Sequence, residues 1–104
     1  MNGIQNQRSS PLFSLGRVLA TPGVLEALEQ NDQTPATFLD RHICGDWGNV
    51  GQEDWQLNEH ALQDGSRILS DYLTSKGIKI WIITEATDAN GNRAATTLLL
   101  PDEY

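Results

Sequence analysis

The apolar positions of the chain follow a helical period from about residue 22 to residue 64, and the pattern changes to that of strands from Arg67. Val24, Leu25 and Leu28 stand at helical spacing with Glu26 and Glu29 turned outward, which predicts a helix over about 22–30. Ala36, Leu39 and Ile43 form a second stripe, with Phe38 beside it, over about 35–44. A third helix is expected over about 52–64, where Trp55, Asn58 and Leu62 share the inner face with Ala61 alongside, and Gly65 ends it. The first two starts obey one grammar. Thr21-Pro22 and Thr34-Pro35 each place a hydroxyl N-cap before a proline at the first helical position, where a missing N–H costs nothing.

After Arg67 three strands are predicted, over 67–74, 78–85 and 95–100. Ser75-Lys76-Gly77 makes the first break, and the loop 88–92, with Asn90-Gly91, makes the second. Trp81, Ile82 and Ile83 are apolar on both faces, as a central strand requires. Short connections favour an antiparallel meander. The expected class is therefore α+β, with about three N-terminal helices packed on a C-terminal three-stranded antiparallel meander. The last strand, "AATTLLL", carries no charge and should not leave its edge bare. The apolar segment 12–20, "LFSLGRVLA", is expected to cover it as a fourth strand, the other possibility being a twofold partner. Residues 1–11, polar apart from Ile4, are expected to be a mobile tail, because so little apolar surface cannot offset the entropy of ordering.

A length of 104 residues fits one domain, here expected over 12–104. Cys44, the single cysteine, cannot form an intrachain bridge, and with no leader-like N-terminus a reducing cytoplasm is the expected home. No apolar run approaches the ~20 residues of a membrane span. The net charge of −7 is concentrated. Residues 22–66 hold nine acids and one base, whereas residues 1–21 hold two bases and no acid. No basic stripe exists to neutralise phosphates, so direct nucleic-acid binding is disfavoured. The acidic middle reads first as a solvated helical face and second as a negative surface offered to a basic partner, in its sharpest form a mimic of DNA.

Candidate chemistry concentrates in "RHICGDWG", residues 41–48. Arg41 and His42 in the last turn of a helix would complement its dipole, and Gly45 stands where a left-handed residue closes it. Trp47 between two glycines reads as a plug over the core, and Asp46 as an acceptor for turn amides. A Cys44–His42 nucleophile pair is disfavoured because residues two apart on a helix do not face each other. His42, Cys44, Asp46 and His60 lack the paired spacing of structural zinc sites, so neither metal nor cofactor is expected. Asn58 on an apolar face is a satisfied core amide or a contact into a pocket. Glu85 and Arg93 suggest an ion pair across the hairpin, and Asp88-Ala89-Asn90 lacks the Gly and Glu of a calcium loop. The candidate binding residues are His42, Asp46, Trp47 and Asn58.

Six stretches together, "VLATPGVLEAL", "RHICGDWG", the Asp54/Asn58 pair, "GSRILSDY", "WIITEATD" and "TTLLLPDEY", resemble a family of small bacterial "plasmid-related" proteins found on plasmids and other mobile elements. The resemblance covers about residues 13 to 104. Relatives commonly carry Ser in place of Cys44, which weakens a thiol mechanism. The loop "TDANGNRAA" is longer than the short turn usual in the family. The resemblance implies a genomic setting but no reaction. The leading expectation is thus an accessory protein of a mobile element acting through contact with an unknown protein partner, as a monomer or homodimer. A DNA-mimicking or anti-restriction inhibitor comes second. An enzyme built on His42, Asp46, Asn58 and His60 comes third, and requires those four side chains to converge.

Overall fold

The computed structural model describes residues 10–104; residues 1–9 of the expected tail lie outside the described residues, and Ser10 and Pro11 are exposed. In chain order the elements are β1 (Arg17–Ala20), α1 (Pro22–Gln30), α2 (Pro35–Ile43), α3 (Gln52–Asp64), β2 (Ile68–Leu73), β3 (Lys79–Thr84) and β4 (Ala95–Leu99), followed by a 3-10 turn, Pro101–Glu103. The class is α+β, but two expectations need correction. The segment 12–20 does supply a fourth strand beside the last one, but the resulting sheet is mixed, in the order β1-β4-β3-β2, and not a three-stranded antiparallel meander. The helices are not all N-terminal, because β1 precedes them and a helical turn follows the last strand. Pairs β2–β3 and β3–β4 are antiparallel, while β1 lies parallel to β4 with Val18 opposite Thr96 and Ala20 opposite Leu98. The reason is connectivity: the three helices between β1 and β2 carry the chain across one face of the sheet, and β1 occupies the edge that the charge-free β4 would otherwise expose.

Local chemistry sets the element ends. Thr21 caps α1 by accepting from the Val24 N–H (3.2 Å), and its hydroxyl donates to Glu103 of the C-terminal turn. Thr34 precedes α2 without such a side-chain bond. Asn31, buried after α1, donates to Ala27 O (2.6 Å) and accepts from the Lys76 N–H (2.8 Å), tying the helix to the β2–β3 turn. Gly65, left-handed at φ 82°, closes α3. In the β3–β4 loop, Asp88 accepts from the Asn90 and Asn92 amides, so this acid organises a turn.

Packing decides which side of each helix turns inward. Val24, Ala27 and Leu28 of α1 meet the sheet, while Leu25, expected inside, is 47 % exposed. On α2 the buried pair is Phe38 and His42, and Ala36 is exposed, so the inward stripe is rotated from the expected one. The main core joins Val24, Leu28 and Phe38 to Tyr72, Ile80, Ile82 and Leu98 of the sheet. A second cluster joins Trp47, Ala61 and Ile68, with Phe13, Val50 and Leu62 around it. Only Asn58 and Ala61 of α3 are buried; residues 52–57 are all exposed, and Trp55, expected on the inner face, is 37 % exposed. Among the described residues no helix is long and apolar enough to cross a membrane.

Candidate functional site

His42 lies wholly inside, between α2 and the sheet. Its Nδ1 contacts Ser70 Oγ at 2.6 Å and its Nε2 contacts Thr84 Oγ1 at 2.8 Å. Thr84 Oγ1 meets Thr96 Oγ1 at 2.7 Å, and Thr96 donates to the Leu15 carbonyl at 2.7 Å. This chain can be wired in one way when the ring is neutral. A carbonyl only accepts, so the single Thr96 proton is spent on Leu15 and Thr96 must accept from Thr84. Thr84 has then used its own proton and must accept from His42 Nε2–H. Nδ1 carries no proton and accepts from Ser70. Burial, with the nearby Arg93 charge second, pushes the His42 imidazole down to about 3, which keeps it neutral. His42 is therefore a core hydrogen-bonding residue linking α2, β2, β3, β4 and the segment before β1. It is not the positive complement of a helix dipole.

The turn after α2 holds the rest of the cluster. Gly45 takes a left-handed φ of 87° as the residue that closes the helix. Trp47 is completely buried, with Phe13 and His42 rings 6.1 and 5.8 Å away, and its indole N–H donates to Glu59 of α3. Gly48, at φ 76°, pairs with Asp71; a Cβ there would run into the Asp71 carbonyl and the Tyr72 ring. Asp46 stays at the surface in an ion pair with Arg41 (2.7 Å) and accepts from the Gly48 amide (3.1 Å). Partial burial pushes its carboxyl up, but the Arg41 bond and the Gly48 amide together hold it below the usual range. Arg41 lies 4.5 Å over the Tyr72 ring, and the Tyr72 hydroxyl, pushed far up by burial, donates to Asp46 O.

Asn58 works as a surrogate strand. Its side chain donates to Leu69 O (2.7 Å) and accepts from Leu69 N (3.1 Å) on the free side of β2. Two residues on, Asp71 N donates to Trp47 O and Asp71 O accepts from Asn49 N, so that edge is also occupied by the turn. Arg93 was expected to pair with the Glu85 carboxylate. Instead its guanidinium is buried and donates to the carbonyls of Ser66, Glu85 and Ala61, with Phe13 5.7 Å from it. It thus pins the end of α3 to the start of β2 and the end of β3. Beside it is an open cleft of about 380 Å³ lined by Phe13, Asp64, Thr87 and Asn92, among others.

The four side chains of the enzyme reading are not brought together. His42 and Asn58 are buried and spent on separate partners, Ser70 and Thr84 for the ring and the Leu69 backbone for the amide, Asp46 is outside with Arg41, and His60 is exposed on α3. Cys44 is half-buried. Among the described residues no three His, Cys, Asp or Glu side chains gather into a group that could hold a metal ion. Of the candidate binding residues, Asp46 is the one a partner could reach, and it belongs to a larger feature. The three helices and the turns after the first two cover one face of the sheet and present Glu26, Glu29, Asp32, Asp40, Asp46, Glu53, Asp54 and Asp64 as exposed acids, with Glu59 half-buried. Their single base, Arg41, is occupied by Asp46. Sequence reasoning located this charge but missed Asn31, Ser70, Thr84 and Arg93 as organisers of the interior. No protein-family model, curated protein or solved structure matches the chain.

Proposed function

We propose that the chain is a small cytoplasmic accessory protein of a mobile element that acts by contact, docking its acidic helical layer on a basic surface of a protein partner. One observation carries this reading: eight exposed acids sit on one layer of the molecule, its own base Arg41 is paired with Asp46, and Lys76 reaches the layer at its edge, at the Gln30 carbonyl. Such a layer raises the encounter rate with a basic surface and makes binding sensitive to salt. The burial of His42, Trp47 and Asn58 moves the functional weight away from the turn and onto this layer. The mobile-element setting rests on the resemblance of the six quoted stretches.

The test compares the wild-type chain with a variant in which Glu26, Glu29, Glu53 and Asp54 are all changed to Lys. All four are exposed, so the fold should survive. Both are used to capture proteins from a bacterial lysate, with cross-linking and mass spectrometry. The expected partner is retained by the wild type, is lost on charge reversal or at high salt, and cross-links to the helices. Retention that ignores charge reversal refutes the reading. In its narrower form, DNA mimicry, the partner is a DNA-handling enzyme and duplex DNA competes for the same surface.

A further inference from the structure

The sheet face turned away from the helices carries Leu19, Leu69, Leu73, Trp81, Ile83, Thr97 and Leu99. Among the described residues its cover is the C-terminal turn and Tyr104, whose ring meets Trp81 edge-on at 5.8 Å while its hydroxyl accepts from Arg67 (2.7 Å). That cover is incomplete: Ile83 and Leu99 are buried, but Leu73 and Leu19 on the two edge strands are 48 % and 40 % exposed, and Tyr104 itself 71 %. A contiguous apolar face ringed by polar groups marks an interaction surface.

We propose that this outer face binds a second copy of the chain, forming a twofold dimer of two stacked sheets. Charge selects the occupant. Meeting through the helices would set two strongly acidic layers against each other. The outer face instead carries Arg17, Arg67 and Lys79 against Asp71 and Glu85, with Asp102 and Glu103 on the turn that covers it, three bases to four acids, and Lys79 is already paired with Asp71 at 3.4 Å. Lys79 opens β3, and Glu85 follows its other end, still bonded through its N–H to Ala95 O. A twofold axis lying between the sheets and across the strands reverses strand direction, so Lys79 of each copy approaches Glu85 of the other. The face is therefore self-complementary in sign, as an isologous contact requires. Trp81 and Tyr104 near its middle, with Arg67 at the start of the β2 edge, are the residue types that anchor interfaces. This geometry leaves both acidic layers free on opposite sides, so it stands independently of the docking reading.

Sedimentation equilibrium of the full chain over a concentration series tests it. The expected result is a reversible approach to twice the 11.5 kDa chain mass. Leu73→Glu and Lys79→Glu, both at exposed positions, should each weaken association by about tenfold or more (about 1.4 kcal/mol or more), whereas Leu25→Glu on the helical layer should not. The double change Lys79→Glu with Glu85→Lys should restore most of the affinity lost by Lys79→Glu alone. Circular dichroism checks that each variant is folded. A chain that stays monomeric into the millimolar range overturns the proposal. So does a dimer that Leu25→Glu breaks and Leu73→Glu leaves intact.

Discussion

His42 enters the interior as a neutral imidazole, and lowering the pH from 7 to 5 tests that placement directly. In the unfolded chain a histidine takes up its proton near pH 6.5. In the folded chain burial holds the ring down to about 3, so across this window the proton is bound by the unfolded state and refused by the native one. Stability then falls with acid, by about 1.4 kcal/mol per pH unit once the pH is well below the unfolded value, and levels off below about pH 3. Between pH 7 and pH 5 the loss is about 2 kcal/mol, and over the full shift on the order of 4–5 kcal/mol. The carboxyls of Asp46, Asp64 and Glu103 are held low in the folded state, so their contributions begin at more acid pH and leave the window to His42. Urea unfolding at pH 7 and 5 is the assay, with a fall in midpoint of about 1 M for a domain of this size. In His42→Gln, whose amide can still accept from Ser70 and donate to Thr84 without titrating, most of that slope should vanish. Nitrogen NMR should show Nε2 protonated and Nδ1 bare. A wild-type stability constant to within about 0.5 kcal/mol across the window, or a slope that persists in His42→Gln, refutes the reasoning.

Three further outcomes are expected. Trp47→Ala removes a fully buried ring and the donor to Glu59, and should cost about 3–5 kcal/mol in urea unfolding. Asn58→Leu strips the Leu69 N–H and carbonyl of their partner on the free side of β2. It should cost about 1–3 kcal/mol and speed hydrogen exchange at Leu69 before the amides of β3. Cys44→Ser should leave the unfolding free energy within about 0.5 kcal/mol and leave partner capture unchanged, because the thiol is half-buried at a helix end and the His42 ring nitrogens are bonded to Ser70 and Thr84 instead. Loss of capture in a folded Cys44→Ser variant would restore the nucleophile reading.

Elements with local signals were legible in the sequence. The two Thr-Pro starts placed the first residues of α1 and α2, with the end of α2 one residue short of expectation, and Gly65 and the helical stripe placed α3. Alternation and turn chemistry located β2, β3 and β4 to within a residue at each end. What escaped was whatever a distant partner decides. The parallel register of β1 is one case: four residues, exposed along most of their length, reveal neither direction nor neighbour. Trp55 is another, since its place in the helical stripe does not show that the ring stays 37 % exposed.

The orientation of α2 shows why a polar core is the hardest part to read. Hydropathy favoured Ala36, Leu39 and Ile43, because periodicity counts only apolar residues and scores histidine as surface. Yet the strands held the missing signal. Ser70 stands between Ile68 and Tyr72 on the inner face of β2, and Thr84 follows Ile80 and Ile82 on that of β3. Thr96 lies opposite Thr84 on β4. Three hydroxyls cannot be buried on one face without partners, since each unmet group costs about 1–3 kcal/mol. Something from the helical layer had to supply both a donor and an acceptor. A neutral histidine offers one of each on opposite sides of a rigid ring, and His42, four residues from Phe38, can reach the face that Phe38 packs against. Interior hydroxyls on paired strands thus specify which side of a helix turns inward, and here they outweigh the apolar stripe.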